Sequence, residues 1–244
     1  MTFFTLTRRY AVATVAALAI TACGGGGSDS PAPGTSATTT FPLAAAMINL
    51  LKEARSVPFS ITGTASRNGQ PLEFTGSGTS IESNTAGTFN GAIALVKNTT
   101  VTGSLGAQGT NVPFTDVSIQ YFDSNYKPLG SSALAGYCVF SAQIALPAAV
   151  RIGDTGVYYA ATCYTTSAKT RSLGTSTATY VLVPATETTA IFKLTSKFTT
   201  TAGVTTSQTS NYVVSTNGSL TLSDTPLSGI TLSGVTVDLV MKYQ

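Results

Sequence analysis

Histidine and tryptophan are absent from this 244-residue chain, and charged residues make up only 9% of it. Without histidine no Ser-His-Asp or Cys-His nucleophile can be assembled. Three cysteines and no imidazole leave a tetrahedral metal site dependent on carboxylates, so neither a metal nor another cofactor is expected. The ten acidic residues are sparse material for paired-carboxylate chemistry, and Glu73, Glu82, Asp116, Asp123, Asp154, Glu187, Asp224 and Asp238 show no spacing that pairs them. Long apolar runs are lacking too. Ala11 to Ile20 is about ten residues, half of the roughly 20 that a membrane-spanning helix needs. What the chain has instead is threonine, serine and glycine, with hydroxyls standing in for charge as the polar surface group.

The amino-terminal end carries the plainest signal. Arg8 and Arg9 form a short basic region ahead of the apolar run, which ends in Ile20-Thr21-Ala22-Cys23 and four glycines. That order reads as a secretory signal peptide. Its last four residues resemble the lipobox of bacterial lipoproteins. The resemblance implies cleavage before Cys23, diacylation of that cysteine and acylation of the new amino terminus. Three acyl chains hold a protein stably where one holds it marginally. In that family an aspartate after the cysteine favours inner-membrane retention; here the residue is Gly24, which implies the outer membrane, with the periplasmic or surface face left open. The partner so implied is the membrane itself, through the lipid. Loss of Arg8 and Arg9 with the leader leaves basic and acidic residues nearly balanced, so the electrostatic footprint of a nucleic-acid binder is missing.

Three segments follow from this reading: a leader over 1–22, a lipidated flexible tether over 23–40, and one β-rich domain over 41–244. Ser28 to Thr40 is built of Ser, Thr, Pro, Ala and Gly and has too little apolar surface to fold. Leu43, Met47, Leu50, Leu51 and Ala54 then recur at helical spacing, with Asn49, Lys52 and Glu53 on the opposite face. Pro42 suits a first helical position, and the helix is expected to run about 13 residues to Arg55.

Everything beyond reads as strands. Phe59–Ala65 and Leu72–Ser80 flank Asn68-Gly69, a strong hairpin signal. Ala92–Val96, Val117–Phe122, Tyr137–Leu146, Gly156–Tyr164 and Thr177–Val183 follow, and Asn217-Gly218 turns the chain between two late strands. The last strand places Val235, Val237, Leu239, Met241 and Tyr243 on one face and Thr236, Asp238 and Lys242 on the other. Period-two alternation means one buried face and one wet face, hence antiparallel pairing. The expected fold is mainly β: an antiparallel β-sandwich or half-open barrel with one N-terminal amphipathic helix.

With Cys23 assigned to lipid, Cys138 and Cys163 remain as an even pair in an oxidising compartment, and a disulfide between them is expected. Asp154-Thr155-Gly156 matches the aspartic-protease triplet, but only one copy exists and Arg151-Ile152-Gly153 precedes it instead of an apolar strand. It reads as a turn in which Asp154 accepts backbone bonds. Ser124-Asn125-Tyr126-Lys127 matches Ser-x-x-Lys, yet Pro128 precludes the helix that chemistry needs and no Lys-Thr-Gly is present. Asp123 and Asn125 hint at a calcium loop that Lys127 spoils. An aromatic group (Tyr121, Phe122, Tyr126, Tyr137, Phe140, Tyr158, Tyr159, Tyr164) reads as cross-strand packing or as the lining of a cleft.

The order of tether, helix, disulfide-bearing sheet and meander resembles uncharacterised outer-membrane lipoproteins of Gram-negative bacteria. The resembling stretches are the lipobox with its glycines, Phe41-Pro42-Leu43, Asn125 to Gly130, and Ile152 to Thr155. No activity comes with that resemblance. Two functions are expected: a lipid-anchored envelope module binding a hydrophobic or amphipathic small ligand between helix and sheet, or a structural, adhesin-like lipoprotein that meets another envelope protein. An enzyme is not expected.

Overall fold

The computed structural model describes residues 38–244, apart from 68–69, 108, 135, 144 and 233–234. The expected leader, the expected lipidation site Cys23 and nearly all of the expected tether lie outside the described residues. One helix, α1 (Leu43–Lys52), and fourteen strands follow one another. Strands β1 (Thr40–Phe41) and β8 (Val150–Arg151) form a small separate pair. The rest are β2 (Arg55–Arg67), β3 (Gln70–Phe89), β4 (Ala92–Ala107), β5 (Thr110–Phe122), β6 (Pro128–Ala133), β7 (Gly136–Gln143), β9 (Thr155–Tyr164), β10 (Ser172–Pro184), β11 (Thr189–Thr200), β12 (Thr205–Ser215), β13 (Leu220–Leu232) and β14 (Val235–Tyr243). These twelve close into one antiparallel barrel.

Closure corrects the expected sandwich or half-open barrel. β14 pairs with β2, Tyr243 opposite Phe59, and β7 pairs directly with β9, so the sheet has no free edge. Alternation along a strand says which face is buried but not which distant strand completes the sheet, and a barrel and a sandwich alternate alike. Several strands are longer than their apolar centres. β4 and β5 run on through Thr99–Gly106 and Thr110–Asp116, where Thr100, Thr102 and Thr115 stand on the outward face. The helix is shorter than expected at ten residues. It starts after Pro42, and Glu53 is already extended.

Twelve strands enclose more room than inward side chains fill, whereas about eight is the number that packs solid. Here α1 occupies one mouth. Leu43, Ala46, Met47, Leu50 and Leu51 are buried against Phe122, Tyr180, Leu182, Phe192, Val214 and Leu220, and Phe41 and Val150 of the small strand pair close over them. A second apolar cluster, Phe59, Ile61, Phe74, Val237 and Leu239, lies farther down the wall formed by β2, β3 and β14. There Gly78 leaves room for the Phe59 ring.

The outer wall is hydroxyl-rich. Thr179, Thr195 and Thr209 lie side by side across β10, β11 and β12, with the Oγ1 atoms of Thr195 and Thr209 2.9 Å apart. Thr62 faces Thr75 and Thr79 faces Thr102 on the opposite side of the barrel. A barrel that sits in lipid presents an apolar band about 25 Å tall on this face; these positions present the reverse pattern. Among the described residues no helix is long and apolar enough to cross a membrane.

Candidate functional site

Under α1 the lumen holds a chamber of about 170 Å³. Its ceiling is apolar: Met47, Leu50 and Leu51 of the helix, with Phe122 beside them. Its walls are mixed. β2, β3 and β4 bring in Arg55, Glu82, Lys97 and Thr99, and β5 and β6 bring Gln120 and Ser131. Aromatic groups come from β7, β9 and β12 as Phe140, Tyr158, Tyr159 and Tyr212.

The charged group is set by register. Arg55 and Glu82 are directly opposite across β2 and β3, and Lys97 is two residues from Glu82's partner Thr99 on β4. Arg55 Nε donates to Glu82 Oε2 at 2.8 Å and Nη2 to Oε1 at 2.9 Å, a bidentate pair. Lys97 Nζ lies 2.9 Å from Glu82 Oε2. Burial pushes the Glu82 carboxyl up, but the bonds from Arg55 and Lys97, with their charges, outweigh it and hold it below its ordinary value of 4.5. Glu82 is therefore ionised and takes up a proton only in acid. Burial works against the Arg55 guanidinium, and the Glu82 bond and charge more than offset it, so its pKa is raised.

Lys97 also reaches the helix. Its Nζ donates to the carbonyls of Glu53 at 2.9 Å and Leu51 at 3.3 Å. Asn84 Nδ2 donates to those of Lys52 at 2.8 Å and Leu51 at 3.1 Å. The last carbonyls of a helix have no partner within it and carry the negative end of its dipole, so an amide and an ammonium there satisfy both needs.

The aromatic wall depends on an irregularity. Between Ala178 and Thr179 the β9–β10 register slips by one residue, with Tyr159 opposite Ala178 and Val157 opposite Thr179. Tyr158 is the extra residue, so both Tyr158 and Tyr159 line the chamber while Val157 is exposed outside. Tyr159 stacks on Phe140 with centroids 4.2 Å apart and bonds Ser196 at 3.2 Å. The hydroxyls of Tyr158 and Tyr212 bond no described residue. Burial pushes both phenols up, and neighbouring charge adds to it; for Tyr212, with Glu82 raising and Arg55 opposing, the result is about 12.

The aromatic group that the sequence left as packing or cleft is divided. Phe140, Tyr158 and Tyr159 line the chamber, and Phe122 and Tyr126 pack at the helix. Tyr121 and Tyr137 are on the outside, where Phe89 at the tip of the β3–β4 hairpin lies tilted against Tyr121 and stacks on Tyr137, with centroids 4.7 and 5.3 Å apart. Cys138 and Cys163 face each other across β7 and β9 and are bridged, with Cα atoms 4.0 Å apart. Asp154 sits in a turn and accepts from the Arg151 amide at 2.8 Å. Asp123 Oδ1 is spent on the amides of Asn125 and Lys127, which makes that loop an Asx turn rather than a helix start. Sequence reasoning did not single out Arg55, Lys97 or Gln120. Their one signal is a charged or amide side chain at the parity of the buried face, as where Lys97 falls in step with Leu95 and Thr99. No family model, curated protein or solved structure matches the chain.

Proposed function

We propose that this chain is a lipid-anchored cell-envelope protein that binds one compact amphipathic ligand in the chamber beneath α1. The observation that carries the reading is the chamber's composition: an apolar ceiling and an aromatic wall, a cationic pair, and two phenols that bond no described residue. Pockets for drug-sized ligands run from about 300 Å³ upward, and a cavity of about 150 Å³ accepts benzene. A chamber of about 170 Å³ thus suits a molecule built on a single ring and is too small for an acyl chain. Among the described residues of its lining the sole carboxylate, Glu82, is held ionised by two cations and is both a poor proton donor and a weak base, which favours binding over catalysis. The anchor fits the outer wall. The threonine rows of the outer wall offer lipid little apolar surface, and in this reading membrane attachment falls to acylated Cys23.

A second reading, surface interaction with another envelope protein, draws on Ile81 and Val117. They flank Thr100 in one outward row across β3, β4 and β5, and both are exposed.

Native mass spectrometry of the full chain, extracted from its envelope in mild detergent, separates the two. A reproducible mass excess released on denaturation is the expected result. A clean apo mass would favour surface interaction. Cys23→Ser should move the protein from the membrane to the soluble fraction with its fold intact, and retention of that variant in the membrane pellet would refute the anchor.

A further inference from the structure

Arg55 has donors to spare. A guanidinium carries five N–H groups in a rigid plane, and Arg55 uses two, both on Glu82. The other three bond no described residue, although Arg55 lines the chamber and its side chain is only 19% exposed. Lys97, in contrast, is fully spent on Glu82 and the end of α1.

The charge in the chamber is unbalanced as well. Two cations share one carboxylate. Other acids offset this surplus only weakly. Glu53 adds some negative charge at Arg55 from beyond the helix end, but it is exposed to water. Asp116 lies four residues down β5 from Gln120, about 13 Å at the rise of a strand. It is exposed to water, and charges at that range are screened at physiological salt. A buried charge without a full complement is costly, and the phenols of Tyr158 and Tyr212 on the same wall want acceptors. An occupant that brings a negative charge and several acceptor oxygens satisfies all of these at once.

Resting on the binding reading above, we infer that the ligand is a compact planar carboxylate. Its oxygens take the free edge of Arg55 and the hydroxyls of Tyr158 and Tyr212, and its ring lies between Phe140 and the underside of α1. Planar bidentate recognition of a carboxylate is what a guanidinium does better than an ammonium. Gln120 marks the way in: it lines the chamber yet is exposed, so water reaches the site along β5.

The test compares benzoate with benzamide, matched in shape and different in charge, by calorimetric titration of the full chain. Benzoate should bind at least tenfold more tightly. Arg55→Gln should bring benzoate down towards the level of benzamide, with a much smaller loss for benzamide. Tyr212→Phe should weaken both. Equal affinity of the wild-type protein for the two probes would overturn the carboxylate inference and leave the binding reading standing, and so would a preference for benzoate that survives Arg55→Gln. Failure of both probes, together with a clean apo mass, would remove the binding reading as well. The wild-type comparison needs no variant, so a misfolded Arg55→Gln does not decide the outcome.

Discussion

Lys97 Nζ donates to the Glu53 carbonyl at 2.9 Å, which ties the wall of the barrel to the end of the helix that plugs it. The same ammonium holds Glu82. Replacing Lys97 with methionine keeps the stem and removes the charge. It strips the carbonyls of α1 of a donor and leaves Glu82 with Arg55 alone. Removal of one partner from a buried ion pair costs about 3–5 kcal/mol. Arg55 still compensates Glu82, so the lower end is expected, about 3 kcal/mol. For a domain of this size that is a fall in Tm of about 6–12 °C. Calorimetry of wild type and Lys97→Met checks it, and a Tm unchanged within 2 °C would mean that the helix is held by its apolar face alone.

Stability should fall at both ends of the pH scale, for two separate reasons. Glu82 is depressed below 4.5 in the folded state. Its contribution is complete above the unfolded value and is lost as pH falls through the folded one. The gap in stability between wild type and Glu82→Gln should therefore close as pH drops below about 4.5. At the alkaline end burial holds the Tyr212 phenol up at about 12 against an ordinary 10.0. The neutral phenol favours the fold up to pH 10, and that advantage disappears as pH climbs from 10 to 12. Tyrosinate absorbance should lag behind model tyrosine over that window and rise with unfolding. Tyr212→Phe should reduce the lag. A titration of wild type that follows free tyrosine would contradict the burial of these phenols.

How far the sequence reaches is clearest in residues that share a strand. Alternation puts Val237, Leu239, Met241 and Tyr243 on one face, and that face is the lumen: Val237 and Leu239 are buried in it. The amphipathic helix is visible for the same reason, since its stripe of Leu43, Met47, Leu50 and Leu51 is the side that plugs the mouth. The cysteine pair follows from a count. Closure does not, because it depends on β14 meeting β2 across nearly the whole chain. Nor does the chamber. Tyr158 and Tyr159 are adjacent, so strict alternation sends one of them outside, and only the bulge against Ala178 and Thr179 brings both in. Arg55, Glu82 and Lys97 come from three strands, and their meeting is a matter of register that no single segment encodes.

Phe89 folds back over Gly130 on the outside of the barrel. A Cβ at Gly130 would collide with its ring and with the Cys138 carbonyl. Gly130→Ala should therefore displace the tip of the β3–β4 hairpin at a cost of about 1–3 kcal/mol. Phe89→Ala, which empties the place of a buried ring, should cost about 3–5 kcal/mol. The two share one contact, so the double variant should be less destabilised than the sum by at least about 0.5 kcal/mol. Strict additivity in denaturant titrations would show that the ring does not rest on Gly130.

The bridge between Cys138 and Cys163 closes a loop whose ends are 25 residues apart. By loop entropy it contributes about 3.5 kcal/mol. The two cysteines already face each other across paired strands, so the native state is held by the ladder whether or not the bond exists. The stabilisation then comes from restricting the unfolded chain. Cys138→Ala/Cys163→Ala should accordingly lower the denaturation midpoint while leaving the folded spectrum unchanged. Its m-value should rise, because the unlinked chain exposes more surface on unfolding. Intact mass under non-reducing conditions should be two hydrogens lower than after reduction. Alkylation of both thiols in the untreated native protein would refute the bridge, and a double variant with an unchanged midpoint would refute its contribution to stability.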